Sequence, residues 1–384
     1  MAIGAKMSIP LTKPSLGDEE GRAPYDAIVS RWVTQGPRVA EFEKAVAAYV
    51  GVAHGVATAS CTTGLHLALH AIGVGRGDEV IVPSLTFIAS PNAVLYTGAD
   101  VVFCEVDRRT FAIDPADVEH RITKRTKAIM PIDQIGLACD IDPVIEIAKR
   151  HGLQVVEDAA PAIGALYKGR QVGATSRQTV FSFHPRKVVT TGEGGMIMTN
   201  DDALARRLRT LRQHGMSVSD LARHQADRAI QEEYPEVGFN YRLSDIHAAI
   251  GVVQMRKIDA ILAAIRQRAE RYDVELPPIR GIEIPYEPPY ARHTYQSYMI
   301  RLTKESPLSR QELMDRLLRR GIATRHGVMA SHLERAYTSR YGPVSLPVTE
   351  ELARTGIVIP LYASMTEDEQ RYVIDALREE LGAG

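Results

Sequence analysis

Residues 181–195 read FSFHPRKVVTTGEGG. An apolar, β-prone run ends at Phe183, a lone lysine follows at 187, and glycines fill positions 192, 194 and 195. A lysine just beyond a buried strand is either a solvated surface charge or an amine kept for chemistry. The sequence around it has to decide.

Upstream, short β-rich runs alternate with helix-like stretches: EVIVP (79–83), VVFCEV (101–106), KAIMPI (127–132), LQVVED (153–158), TVFSF (179–183) and GGMIMTN (194–200). Their nearly continuous apolar character suits strands covered on both faces, and the alternation builds βα units on a mostly parallel sheet flanked by helices. The crossover helices fall at 62–72 and 141–151. Asp142 reads as the N-cap of the second, Pro143 as its first residue and Gly152 as its stop. After Ser244, a good N-cap, apolar positions 246, 250, 253, 261 and 265 predict one long helix to about Tyr272. Prolines at 277, 278, 285, 288 and 289 then break the pattern. Beyond them YQSYMIRL (295–302) alternates like a strand, and helices are predicted at 308–320 and 366–381. The expected division is a large domain over 1–255, including the N-terminal segment, and a smaller α+β domain over 256–384.

Composition narrows the partners. The 384 residues exceed the size of most single cores, roughly 250–300 residues, and 46 basic against 47 acidic residues leave a net charge of -1. Neither nucleic acid nor an anionic membrane gains long-range attraction from that balance. Cys61, Cys104 and Cys139 are odd in number and form no CxxC pair, which argues for reduced thiols and against a zinc site. The first residues lack the apolar core of a signal peptide, and no uninterrupted apolar stretch of about 18 residues occurs. A cytoplasmic protein acting on a small molecule is expected.

In an open α/β sheet, ligands sit at the carboxyl ends of the strands. Two strand ends carry chemistry: VVEDAAPAIGA delivers Asp158, and FSFHPRK delivers Ser182 and Lys187. ASCTTGLHLAL opens a helix with small hydroxyl residues, so its free N–H groups, with Thr62 and Thr63, can hold a phosphate. VPSLTFIASPN sets Phe87 after another strand. Each piece has a plain structural alternative: an ion pair, an N-cap, a core ring. Together they specify what pyridoxal phosphate (PLP) requires, namely a Schiff-base lysine, a carboxylate for the pyridine nitrogen, a stacking ring and a phosphate cradle. His184 is either a substrate contact or a structural histidine. His66 and His70 have i, i+4 metal-pair spacing but lack a third ligand, so no metal is expected.

At this point the sequence resembles the PLP-dependent sugar aminotransferases of the DegT/StrS family, which have the type I aminotransferase fold. The segments that carry the resemblance are KPSLGDEE, TQGPRVAEFE, CTTGLHLAL, PSLTFIASPNAVLYTGA, EDAAPAIGA, FSFHPRKVVTTGEGG, GFNYRLSDIHAAIG and PLYASMTEDEQ. The resemblance implies that Lys187 holds the cofactor, Asp158 pairs with the pyridinium, Phe87 stacks, and Cys61, Thr62 and Ser182 neighbour the phosphate. Asn240 resembles the residue given to the phosphate across a dimer interface, which implies a homodimer with shared sites. Departures fall at Pro161, where Gln or His is usual, at PIDQIG (131–136) in place of Pro-Val-His-Leu-Tyr-Gly, and at Arg325–His326, two candidate substrate contacts.

The implied activity is transfer of an amino group from an amino-acid donor, by resemblance L-glutamate, to a nucleotide-linked ketosugar, with the cofactor passing through pyridoxamine phosphate. Amination of a cyclitol ketone and a non-catalytic regulator that keeps the fold are the alternatives. A sugar dehydratase would replace the lysine by histidine, and Lys187 argues against it.

Overall fold

The computed structural model describes residues 8–218 and 230–382, with Arg223, Ala226 and Asp227 between them. Strands Asp100–Cys104, Glu79–Pro83, Thr126–Ile129 and Gln154–Val155 lie side by side in that order, all parallel. The last of them continues past Val156 into Glu157–Asp158, which pairs in parallel with Thr179–Ser182 and, through one bridge, with Ile132. Gly195–Thr199 and His54–Thr58 complete the sheet on that side.

The sheet is mostly parallel, as expected, with one reversal. Gly195–Thr199 runs antiparallel to both neighbours. Its cause lies in the opening stretch, because a parallel return needs a crossover helix, and residues 183–194 contain none. Instead the chain folds straight back as a wide hairpin. Phe183 N donates to Gly194 O at 2.9 Å, Thr191 N to Phe183 O at 3.0 Å, and Thr190 Oγ1 to the same carbonyl at 2.7 Å. Lys187 rides on that hairpin loop.

The sequence reading misses His54–Thr58 and misassigns one helix cap. Helix Ile141–His151 begins one residue before Asp142, whose carboxylate instead takes the amine of Lys168 at 2.7 Å. Asp140 stands at the N-cap position, but its side chain accepts from the Tyr167 hydroxyl at 2.5 Å. Gly152 does end the helix, in the left-handed conformation that glycine adopts without strain.

Helix Asp245–Glu275 confirms the long element predicted after Ser244, whose hydroxyl accepts from His247 N at 3.3 Å. It runs unbroken across residues 255 and 256. Its first turns bury Ala248, Ala249 and Gly251 more deeply than Ile246 and Ile250. A Cβ at Gly251 would lie 2.6 Å from the Phe42 ring, so helix Pro37–Val50 packs directly on this backbone. Asp245 reinforces the contact: its buried carboxylate accepts from Gly36 N at 2.8 Å and from Arg38 N and Val39 N at 3.0 Å each. It caps a helix that starts at Pro37 and carries no cap of its own.

Beyond the helix, an antiparallel sheet orders Ile282–Glu283, Tyr298–Leu302, Gly356–Ile359 and Arg325–His326. Helices Arg310–Arg319 and Glu367–Gly382, close to the predicted bounds, pack in the same region. No helix among the described residues is long and apolar enough to cross a membrane.

Gly195 ties the hairpin to the next element. A Cβ there would stand 2.6 Å from Ser60 O and 2.7 Å from Cys61 N, both backbone atoms that cannot swing aside. Gly195→Ala should therefore destabilise the chain by about 1–3 kcal/mol, the usual cost of overpacking. Urea denaturation measures it, and an unchanged midpoint would show that the two segments separate freely.

Candidate active site

The carboxyl ends of the parallel strands open into a cavity of about 340 Å³, within the ordinary size of a small-molecule site. Lys187 and Asp158 both line it. Lys187 is half-buried, and among the described residues no side chain accepts a hydrogen bond from its Nζ. Burial pushes its amine below the ordinary lysine range, while Cys61 and Asp158 oppose that shift. A depressed amine is the more nucleophilic one.

Asp158 is 4% exposed. Ser90 Oγ donates to its Oδ2 at 2.7 Å and Ala160 N to its Oδ1 at 3.0 Å. Burial raises this carboxyl above the usual range, and the two donors together with Lys187 pull it back. Ser90 was not singled out in the sequence, although it lies three residues after Phe87. It is itself buried and shares its hydroxyl with Thr86 Oγ1 at 2.9 Å. Gln134, from the PIDQIG segment, also lines the cavity, with its amide nitrogen bonded to Leu85 O.

At one end of the cavity stands the N-terminus of helix Cys61–Ala71, one residue earlier than predicted, with Ser60 as N-cap. The first N–H groups of any helix lack intrahelical partners, so those of Cys61 and Thr62 are available to an anion. Both residues line the cavity, as does Ser182. Thr63 does not: its hydroxyl closes a capping box with Ser60, donating to Ser60 O at 2.8 Å and accepting from Ser60 N at 3.0 Å. Burial pushes the Cys61 thiol well up, with Asp158 adding to the shift, so it stays neutral. Phe87 is 57% exposed and lines the same space, so its ring is not committed to the core.

His184, Arg325 and His326 line the cavity as well. His184 Nδ1 accepts from Arg186 N at 3.2 Å, and burial holds the imidazole below its ordinary range, so it is neutral near pH 7. His326 Nε2 meets Gln311 Oε1 at 3.3 Å. Asn240 is exposed, bridges to Gln213, and lies outside this chain's cavity. His66 and His70 belong to an aromatic cluster with Phe239 and Tyr241. The Tyr241 hydroxyl engages His66 Nδ1 at 2.9 Å, and burial, then repulsion from His70, lowers His66 to about 4.

An accessible amine, a buried carboxylate held ready to ionise and a helix N-terminus with open N–H groups meet in one cavity. The profile of one protein family matches residues 14–378. The chain belongs to the DegT/DnrJ/EryC1/StrS aminotransferase family. Its fold is shared with DesV of S. venezuelae, solved in complex with a ketimine intermediate, at 34% identity and TM-score 0.88 over 97% of this chain and 98% of that one. Sugar aminotransferase CalS13 from Micromonospora echinospora matches at 29% identity and TM-score 0.87, covering 97% and 99%. The putative sugar aminotransferase Spr1654 from Streptococcus pneumoniae, solved in PMP, apo and PLP forms, matches in its PMP form at 26% identity and TM-score 0.92, covering 98% and 100%.

This aminotransferase is a PLP-dependent transaminase, and the residues present fit the cofactor. The uncommitted amine of Lys187, the buried carboxylate of Asp158, the free ring of Phe87 and the open helix N-terminus at Cys61 and Thr62 are the donor set it needs.

Ser90→Ala deletes the hydroxyl on Asp158 Oδ2. A bond to a charged group is worth about 1.5–3 kcal/mol, and losing it favours the neutral acid. The acid limb of the catalytic pH profile should move up by about 1–2 units. An unmoved limb in a folded variant would show that Ser90 does not hold the charge.

Proposed function

We propose that this aminotransferase converts a nucleotide-linked ketosugar into the corresponding aminosugar nucleotide, with L-glutamate as the amino donor, as a cytoplasmic homodimer whose active sites are shared. The observation that carries this reading is the meeting of Lys187 and Asp158 in a cavity whose rim also holds two exposed arginines, Arg186 and Arg325. The first pair serves amino transfer. The second offers charge to a phosphorylated substrate, since guanidinium groups match phosphate oxygens in a fork geometry. That the related proteins CalS13 and Spr1654 are described as sugar aminotransferases supports a sugar acceptor.

When bound, PLP supplies an electron sink for the carbon bearing the amino group. Lys187 Nζ is the group assigned to hold it and then to take and return the proton at the reacting carbon, as general base and acid. Asp158 would supply the carboxylate that pairs with the ring nitrogen, and Phe87 would offer a flat apolar face. Cys61, Thr62 and Ser182 form the phosphate end, with backbone N–H groups supplying most of the polarity. Neutral His184 and the exposed Arg325–His326 pair are the side chains offered to the sugar. The net exchange balances: a carbonyl oxygen on the acceptor is replaced by an amino group, and the donor becomes the 2-oxo acid, with no external oxidant or reductant.

The test is a panel of nucleotide-linked ketosugars and cyclitol ketones with glutamate as donor, products identified by mass. Amination of a cyclitol ketone alone would replace the sugar reading, and no product from any acceptor would favour a regulator. Lys187→Ala should lose turnover by at least about 10³-fold, since it removes both nucleophile and proton carrier. It should also retain no pyridoxyl label after borohydride reduction. Label on another lysine would overturn the assignment.

The shared site has its own test. Asn240 is exposed and lies apart from its own chain's cavity, which supports donation to a neighbour's phosphate. Mixing Lys187→Ala with Asn240→Asp, each inactive alone, should yield heterodimers with one intact site. With statistical exchange, activity should recover to roughly a quarter of wild type. If chains exchange and no activity returns, Asn240 serves its own chain.

A further inference from the structure

Glu157 and Asp158 are consecutive on one strand, so their side chains leave opposite faces of the sheet. Asp158 enters the cavity, and Glu157 does not line it. Behind the sheet Glu157 meets Asp133 and Cys139, with a carboxylate oxygen of each acid and the Sγ of Cys139 all within 4.8 Å of one another. All three residues are out of water, at 2%, 0% and 1% exposure.

The bonds around this cluster leave a carboxylate oxygen without a partner. Asp133 Oδ1 accepts from Cys139 N at 2.8 Å, and Thr179 Oγ1 donates to Glu157 Oε2 at 2.6 Å. Asp133 Oδ2 finds no N–H or O–H donor among the described residues. Nor does any described lysine or arginine form an ion pair with either acid. Two carboxylates at this separation, buried and without a cation, do not both ionise, and one proton between them relieves the conflict.

We propose that Asp133 and Glu157 share a single proton, carried on Asp133 Oδ2, and that this singly charged pair is a positioning device that leaves Asp158 as the carboxylate ionised toward the cavity. The link to Asp158 is short. Asp133 N donates to Asp158 O at 3.1 Å and Asp158 N to Pro131 O at 2.9 Å, so the two segments move together. Loss of the shared proton adds a second negative charge behind Asp158 and makes the ionised form of Asp158 costlier to hold. The groups facing the pair agree with the assignment. Burial, then Glu157, and also Asp158 push Asp133 well above the carboxylate range. Burial raises Glu157 too, and it keeps the Cys139 thiol protonated, with Asp133, Glu157 and Asp140 adding to that shift. The remaining neighbours, Thr179 and Ser176, are hydroxyls. The use of Asp158 rests on the proposed function, whereas the shared proton does not.

Asp133→Asn replaces the proton with a permanent amide donor to Glu157, and thermal unfolding of the full-length chain across pH reads the difference. In wild type the folded state keeps a proton that the unfolded chain has released, so stability falls as pH rises from the unfolded carboxyl pKa, about 3.9, through the raised folded one. The variant lacks that loss. Its advantage in Tm over wild type should grow by about 2–4 °C between about pH 5 and pH 8. Infrared spectra of wild type should show the carbonyl stretch of a protonated buried carboxyl, absent in Asp133→Asn. Glu157→Gln gives Asp133 an amide donor from the other side and must also lack the band, which keeps the test open should Asp133→Asn not fold. A Tm difference constant with pH, or the band surviving in these variants, overturns the shared proton. So does a stoichiometric metal ion in the purified chain whose chelation lowers Tm, because a cation would then balance the cluster.

Discussion

A carboxylate buried at a strand end is the constraint on which this molecule is organised. Taking Asp158 out of water disfavours its charged form, the form in which it would serve the proposed chemistry. Three elements supply the compensation. The helix after strand Glu79–Pro83 brings the Ser90 hydroxyl, the turn after Asp158 brings a backbone N–H, and the hairpin from the neighbouring strand brings the amine of Lys187. All three arrive at one edge because parallel strands end on the same side, which is what the sheet is for in functional terms.

Much of this could be read from the sequence, for a physical reason. Strand ends in a parallel sheet converge, so Asp158, Ser182, Lys187 and Phe87 could be assembled without coordinates, and the cavity does collect them. The long helix after Ser244 was legible because capping and periodicity are local signals. What stayed hidden was tertiary. Nothing in the residues around Ser90 says which acid its hydroxyl will meet. Thr63 looked like a free donor, yet its nearest acceptor is its own N-cap. Asp142 looked like a cap because an acid before a proline usually is one, and Lys168 claims it. Strand His54–Thr58 is five residues long with a glycine inside, too short to announce its period. The reversed direction of Gly195–Thr199 followed from the missing crossover helix, a negative feature that the apolar pattern alone does not display.

Two glycines of the opening stretch act through the main chain. Gly195 brings hairpin backbone against the backbone of Ser60 and Cys61, fixing the start of helix Cys61–Ala71 relative to the lysine loop. Gly192 adopts a φ of 84°, and a side chain there would meet nothing closer than His247 at 3.7 Å, so its role is conformational. The spacing between the lysine loop and the helix N-terminus is thus set by main chain, which does not change rotamer.

The Asp245 clamp carries a consequence for how the chain is made. Residues 36, 38 and 39 obtain their hydrogen-bond acceptor from a residue 209 positions later than the first of them. Helix Pro37–Val50 therefore leaves the ribosome with its leading N–H groups bonded to water, and gains its cap only after the strands of the large sheet have been synthesised. Contacts of such sequence separation close slowly, because the entropy of the intervening loop is lost before any bond rewards it. Helix Pro37–Val50 is accordingly fixed at its leading end only once a residue more than 200 positions downstream has been made.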